Sequence, residues 1–342
     1  MTKNDAVILP LDDVFQLAKE ILVSAGASEV NATSVATSTW RAERDGVRSH
    51  GLIYLPIYAS HIRCGKVNGK AQPTVTTPRP GVVAVDAGHG FAHPAIDAGY
   101  GAFVDAARIQ GIAALTLHNS YNCGILGHHA ERLADDGLVG LCFTHAPASV
   151  APVGGKQAIV GTNPFALGVP DGQGGAAIVI DQSVSVVAKS EIVLRSINGE
   201  AIEPGWAFDA DGKPTTDAKE ALKGSMAPSG GYKGFGLGLT VEVLASCLAG
   251  AVLSQDASPF SGTAGGPPST GQCFIAFDPM SFTGDRFFAQ VELLANSIES
   301  QDGARLPGAR RKSNRLATEA NGVSVPATLM DILEGAKSGS SS

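Results

Sequence analysis

The chain has 342 residues, 44% apolar and 17% charged, a globular composition long enough for one large or two ordinary domains. Its net charge of −7 excludes the basic footprint that nucleic acid requires and disfavours anionic membrane surfaces, so an anionic ligand must find its positive charge at individual arginines. Five widely spaced cysteines without a C-x-x-C pattern read as reduced thiols of a cytoplasmic protein, and the 42 glycines follow no collagen or solenoid period.

In chain order, the N-terminus lacks the charged head and long apolar run of a signal peptide. Leu11, Val14, Leu17, Ala18, Ile21 and Leu22 recur at helical spacing, and a second helical run covers 29–44 after the punctuation Ser24–Ser28. Helix formers then break at Asp45-Gly46, and the turn delivers Arg48, Ser49 and His50 ahead of a permissive Gly51. A guanidinium, a hydroxyl and an imidazole at the mouth of one loop form a candidate catalytic cluster, because imidazole exchanges protons near neutral pH. A third helix is predicted over 52–64, with Pro56 in its first turn, where proline is tolerated. Gly69–Pro80 reads as a linker.

From residue 80 the texture changes to alternating strands and helices, which predicts an α/β fold. Strands are expected at 81–86, 111–117, 139–144, 176–181 and 273–277, and helices at 93–109, 124–136 and 284–300. The run Gly234–Leu253 carries one charge, Glu242, in twenty residues; this is long enough to span a bilayer but reads as a buried helix of the core. Gly262–Thr270 reads as a surface loop and the tail through Gly339–Ser342 as frayed.

Neither the G-x-G-x-x-G fingerprint nor the P-loop occurs, so a standard Rossmann dehydrogenase is disfavoured. Four short polar loops stand next to predicted strand ends or helix starts instead: His118–Gly124, Gly161–Pro164, Asp181–Ser183 and Gly230–Gly234. A loop opening a helix is a ready anion site, through its free N–H groups and the helix dipole.

As an ordered set, Arg48-Ser-His-Gly51, Gly161-Thr-Asn-Pro164, Pro204-Gly-Trp206, Asp211–Asp217, Gly230–Gly234 and Arg305-Leu-Pro-Gly308 resemble the type-2 malate/L-lactate dehydrogenase family. Within it, His118-Asn-Ser120 and Thr270-Gly-Gln272 look most like the Δ1-piperideine-2-carboxylate/Δ1-pyrroline-2-carboxylate reductases. The resemblance implies a non-Rossmann α/β fold, with a helical N-terminal region (1–76, packing with 303–342) and a mixed-sheet cofactor and substrate region (77–302). It also implies a homodimer. The activity implied is NADPH-dependent reduction of cyclic 2-imino acids, with 2-hydroxy-acid dehydrogenation (malate, lactate or ureidoglycolate) as the alternative.

The same resemblance implies a relay of Ser49, His50 and Asp181, with His50 as proton donor, and substrate contacts at Arg48, Tyr54 and Thr162. The cofactor contacts it implies are His118, Asn119, Ser120, Tyr121, Asn122, Thr162, Asn163, Pro164, Gln182, Ser183, Lys233, Gly234, Arg305, Arg310 and Arg311. Arg310, Arg311 and Lys312 suit a 2′-phosphate, which favours NADPH while leaving NADH possible.

Three places depart from the family pattern, one being the Asp181 loop, which reads Asp-Gln-Ser-Val-Ser where many members have Asp-Met-Ala-Thr-Ser. Tyr54 stands where members often carry an arginine for the substrate carboxylate, and Ala309 replaces an acid. A charged hydrogen bond contributes roughly 1.5–3 kcal/mol against about 1 for a neutral one, so a simple 2-oxo or 2-imino acid loses about tenfold or more in binding unless Arg48 takes over. A metal reading of His128, His129 and Glu131 fails on spacing, since adjacent helical residues point about 100° apart and no third ligand is evident.

Overall fold

The computed structural model describes residues 6–339; Ser340–Ser342 of the expected frayed tail, and the first five residues of the expected leaderless N-terminus, lie outside them. Strand β1 (Ala6–Leu9) leads into helices α1 (Leu11–Ala25), α2 (Glu29–Arg44) and α3 (Leu55–Arg63). Then follow β2 (Thr74–Arg79), β3 (Val82–Asp86), α4 (Ala92–Gln110), β4 (Ile112–Ser120), α5 (Leu126–Asp135), β5 (Val139–Thr144), β6 (Phe165–Pro170) and β7 (Ala176–Gln182). The remainder comprises α6 (Lys189–Asn198), β8 (Ala207–Phe208), β9 (Pro214–Thr215), α7 (Ala218–Ala221), β10 (Ser225–Met226), α8 (Tyr232–Glu242), β11 (Thr270–Phe277), α9 (Asp285–Glu299), α10 (Ala309–Asn321), β12 (Val323–Pro326) and α11 (Ala327–Ser338).

The centre is a seven-stranded sheet ordered β2-β3-β4-β11-β5-β6-β7. Only β3 and β4, joined through α4, run parallel; the other neighbours are antiparallel. Val83, Val85, Leu115, Leu117, Cys142 and Phe274 form a core with Ala95, Phe103 and Ala107 of α4 and Leu126, Ala130 and Leu133 of α5. Val241 and Ala245 cover Phe143 and Cys273 in a separate cluster. A small sheet, β10-β8-β9, packs with α6 and α7 around Val150, Val160 and Ile192.

The helical layer draws on both ends of the described chain. Val14, Ala18, Ile21, Leu22, Val35, Leu52, Leu55 and Tyr58 share one core with Val323, Val325 and Leu333, and β1 pairs antiparallel with β12. Local signals set its boundaries. Gly26 ends α1 in the left-handed conformation, and the Ser28 side chain accepts the Asn31 N–H to start α2.

Two expectations are corrected. The segment read as a linker contains β2, an edge strand whose residues are all exposed, which is why it carries no apolar alternation. The apolar run 234–253 is not a continuous buried helix: α8 gives way to a π-helical turn at Val243–Leu248, and Leu239, Val243 and Leu248 remain 47%, 49% and 62% exposed. Its carboxylate is satisfied inside, where Glu242 accepts from Asn163 and Ser254. Among the described residues no helix is long and apolar enough to cross a membrane.

Asp45, at the C-terminus of α2 and fully buried, joins three helices. It accepts from Arg44 Nε at 2.8 Å and His128 Nε2 of α5 at 3.1 Å. Arg315 of α10 binds it through Nε at 2.9 Å and an Nη at 2.8 Å, and reaches Glu131 at 3.0 Å. Asn314 also donates to the Asp45 carbonyl at 3.2 Å. Burial alone would raise the Asp45 pKa, but the bonds from His128, Arg315 and Arg44 outweigh it and hold the carboxyl well below its ordinary range.

Asp45→Ala, leaving two guanidinium groups and a buried imidazole without their carboxylate, is expected to cost about 3–5 kcal/mol in denaturant unfolding. The wild-type contribution is complete above the ordinary Asp pKa of 3.8 and declines as pH falls toward the lower folded value, because below 3.8 the unfolded chain binds the proton first. Equal acid sensitivity of wild type and variant would contradict this assignment.

Candidate active site

The turn that Asp45 anchors presents Arg48, Ser49 and His50 on a short 3₁₀ segment. Gly51 follows with room for no side chain, since a Cβ there would fall within 2.0 Å of the Glu43 carboxylate. That carboxylate is buried and accepts the Leu52 N–H at 2.7 Å, so it fixes the chain just after His50. Burial pushes the Glu43 pKa up, against the Leu52 bond and the charge of Arg48.

His50 is half-buried, and its Nδ1 lies 3.0 Å from Ser49 Oγ. Burial lowers its pKa, the charge of Asp181 opposes that, and the positive charges of His128 and Arg311 reinforce it. Asp181, near the end of β7, does not bond the imidazole directly. Its Oδ2 accepts from Arg311 of α10 at 2.6 Å and from the Gly127 N–H at the start of α5 at 3.0 Å. Gly127 is needed for this approach, because a Cβ would come within 2.8 Å of the Asp181 carboxylate and 2.3 Å of the Arg311 guanidinium. Ser49 thus lies against the ring, while burial dominates its electrostatics and Asp181 opposes that from a fixed position.

Tyr54 lies nearly parallel to His50, with ring centroids 6.2 Å apart and an angle of 6°. Behind it Tyr58, Phe91, Tyr121 and Phe260 pack edge to face. Arg48 is exposed, and Thr162 is half-buried on the loop before β6.

The residues expected at a cofactor fall into two groups. Tyr121 and Asn163 are buried at 1% and 0% exposure and spend their polar atoms on the protein: Tyr121 on His61, Asn163 on Gly238 and Glu242. Ser120 is buried as well, and Asn122 accepts from Gly124 N and Tyr58. His118 and Asn119, half-buried at the end of β4, face Asp86 at 3.7 and 3.1 Å. Asn119 and Asn163 both adopt positive φ, of 49° and 32°, a conformation asparagine tolerates better than most residues. Pro164 precedes β6, and Ser183 bonds Ser185.

Gln182, Lys233, Arg305 and Arg310 are exposed. The first turn of α8, with Lys233 and Gly234, has no side-chain cap, so its N–H groups are free for an anion. Of the basic trio, Arg311 is committed to Asp181 and Lys312 to the Ala176 carbonyl at 2.6 Å; Arg310 has neither ion pair nor hydrogen bond among the described residues.

Sequence reasoning missed the supporting shell. From sequence, Asp45 reads only as a turn signal and His128 only as a metal candidate, and Arg315 is not singled out, although Arg311 and Arg315 stand one helical turn apart and so share a face. Asp45, His128 and Glu131 have the proximity of a metal cluster, and Arg315 places a guanidinium against both carboxylates.

The malate/L-lactate dehydrogenase family model matches residues 9–334. A Δ1-pyrroline-2-carboxylate reductase of Ancylobacter novellus is 40% identical over 97% of this chain and 98% of its own. A (2R)-3-sulfolactate dehydrogenase (NADP+) of Chromohalobacter salexigens is 41% identical over 90% of this chain and 92% of its own. Among solved structures, the Δ1-piperideine-2-carboxylate reductase of Pseudomonas syringae superposes with a TM-score of 0.91 at 32% identity, covering 96% of this chain and 99% of that one.

A nuclear magnetic resonance titration of the His50 ring is expected to give a midpoint below the ordinary 6.5, and a lower one still in Asp181→Asn, which loses the charge that favours the imidazolium. An upward shift in the variant would mean that Asp181 does not act on His50.

Proposed function

The chain belongs to the malate/L-lactate dehydrogenase family, and from that premise we propose that this NAD(P)H-dependent oxidoreductase reduces cyclic 2-imino acids, Δ1-pyrroline- and Δ1-piperideine-2-carboxylate, to L-proline and L-pipecolate. The observation that carries this reading is the Ser49–His50 pair beside the fixed Asp181 charge, in a chain alike over nearly its whole length to cyclic-imine reductases. The open first turn of α8, the Lys233 amine, Thr162 and the unpaired Arg310 suit a ligand with several phosphates, and Arg310 favours NADPH over NADH. When bound, the nicotinamide supplies a hydride.

The chain's own groups handle the proton and the pose. His50 in its protonated form gives a proton to the substrate nitrogen, and Ser49 holds Nδ1 so that the other ring nitrogen faces the substrate. Asp181 favours the imidazolium, offsetting part of the cost of its burial. Arg48 anchors the substrate carboxylate, and the Tyr54 ring offers a flat face to a planar cyclic imine.

The second reading, an NAD(P)-dependent 2-hydroxy-acid dehydrogenase, is favoured by the likeness to the sulfolactate enzyme. His50 would serve it equally, by protonating an alkoxide. A homodimer suits either reading. Helix α9 buries none of its fifteen residues within the chain and exposes Leu293 and Leu294 at 60% and 55%. Light scattering is expected to report twice the 34.8 kDa chain mass, and a monomer at working concentration would refute it.

The deciding experiment follows loss of reduced nicotinamide with the two cyclic imines, pyruvate and oxaloacetate, each with NADPH and NADH. Turnover of the imines with NADPH is expected, and turnover of the oxo acids alone would transfer the protein to the second reading. His50→Ala is expected to lose at least about a hundredfold in turnover with cofactor affinity nearly unchanged. Tyr54→Arg is expected to raise kcat/KM for imines and oxo acids alike by about tenfold, through a new charged hydrogen bond to the carboxylate they share. Unchanged kcat/KM for both would remove Tyr54 from carboxylate binding.

A further inference from the structure

A cavity of about 210 Å³ lies between α2, α4 and α5, on a different side of α5 from the reacting groups. Gly127 faces Asp181, whereas His129, two residues on and about 200° round the helix, lines the cavity. The wall is polar and its charges are not balanced. Arg132 is spoken for, with Asp97 at 2.7 Å and the Tyr100 ring 3.5 Å below its guanidinium. The guanidinium of Arg41, half-buried on the same wall, has no ion pair and no hydrogen bond among the described residues. Burial, then the like charges of Arg132 and Arg44, lower its pKa, and the more weakly acting carboxylates of Glu131 and Asp97 offset only part of this without pairing with it.

The histidines point to the rest of the ligand. His93 is 4% exposed and neither ring nitrogen has a partner; His128, equally buried, has none at Nδ1. Its Nε2–H donates to Asp45, and the Nε2–H of His129 donates to the Cys123 carbonyl. Each of these two rings, when neutral, therefore keeps Nδ1 as an acceptor. Buried polar nitrogens without partners are costly, and a cation without a counter-ion beside them calls for a negative group.

We propose that this cavity is a second binding site, separate from the reacting centre, for a small oxyanion that carries a hydrogen-bond donor of its own. Arg41 takes the oxyanion, and the imidazole acceptors take the donor. An aminocarboxylate, a hydroxycarboxylate and hydrogen phosphate share this chemistry. Occupation is felt at the catalytic turn, because His128 bonds Asp45, and Asp45 holds the residues that lead to His50.

Trp40, next to Arg41 and stacked 5.0 Å from the Arg44 guanidinium, reports on the site without cofactor or turnover. In full-length protein carrying Trp206→Phe, its emission is followed on adding L-proline, L-lactate or phosphate, with chloride at matched ionic strength as control. A saturable change below about 50 mM with at least one of the three is expected, and the arm that saturates lowest identifies the source. Arg41→Gln is expected to weaken that binding at least about tenfold while leaving effector-free turnover within about twofold. Thr37→Leu, which fills the cavity from the exposed side of α2, is expected to weaken it as well, and carries the test if the arginine variant fails to fold. No saturation with any ligand, the same response to chloride, or saturation unchanged in the variants would each overturn the proposal. None of these results depends on which acid the reacting centre reduces.

Discussion

A single buried carboxylate holds the Arg48–His50 turn in place. Asp45 ends α2 with its side chain wholly inside the protein, and such a charge is tolerable only with partners of opposite sign and good geometry. Those partners come from α2 itself, from α5 and from α10, so the need to neutralise one carboxylate fixes the mutual placement of three helices. The residues that follow are Gly46 to His50. Their position is therefore inherited from an ion-pair network rather than from the sheet.

A second constraint operates one turn earlier on α10. Arg315 serves Asp45, while Arg311 serves Asp181 at the end of the sheet, so a single helix holds both the turn that ends in His50 and the carboxylate near it. The close approach of Gly127 completes the arrangement by delivering a backbone N–H to the same Asp181 oxygen. Placing the carboxylate beside a guanidinium rather than against the imidazole moderates its effect on His50. The ring stays below its ordinary pKa and remains able to lose as well as gain its proton.

Much of this was legible in the sequence, for identifiable reasons. Helices α1, α2, α4 and α5 and strands β3, β4, β5, β7 and β11 announce themselves by apolar spacing, and the Ser49–His50 turn by Asp45-Gly46, whereas β6 was not expected. The edge strand β2 was illegible because no face of it is buried, and period-two patterning exists only where one face is. The apolar run after Gly234 misled for the opposite reason, since hydrophobicity records affinity for any apolar partner and does not say whether that partner lies in the same chain. Among the site residues, Tyr121 and Asn163 look like polar loop residues, but they point inward to His61 and Glu242, a direction composition cannot convey. The links from Asp45 to His128 and Arg315 cross 83 and 270 positions, beyond the reach of any local pattern.

The pairing of β1 with β12 has a consequence for how the molecule comes into being. The helical layer opens the sequence, yet Val323, Val325 and Leu333 complete its core, and the arginines that bond Asp181 and Asp45 lie at 311 and 315. During synthesis the first three helices therefore emerge with an apolar face uncovered, long before the segment that covers it has been made. Contacts of such long sequence separation are entropically slow to close. The nascent chain must carry an exposed helical layer until these later segments are made, and it is the late helix α10 that fixes the turn following α2.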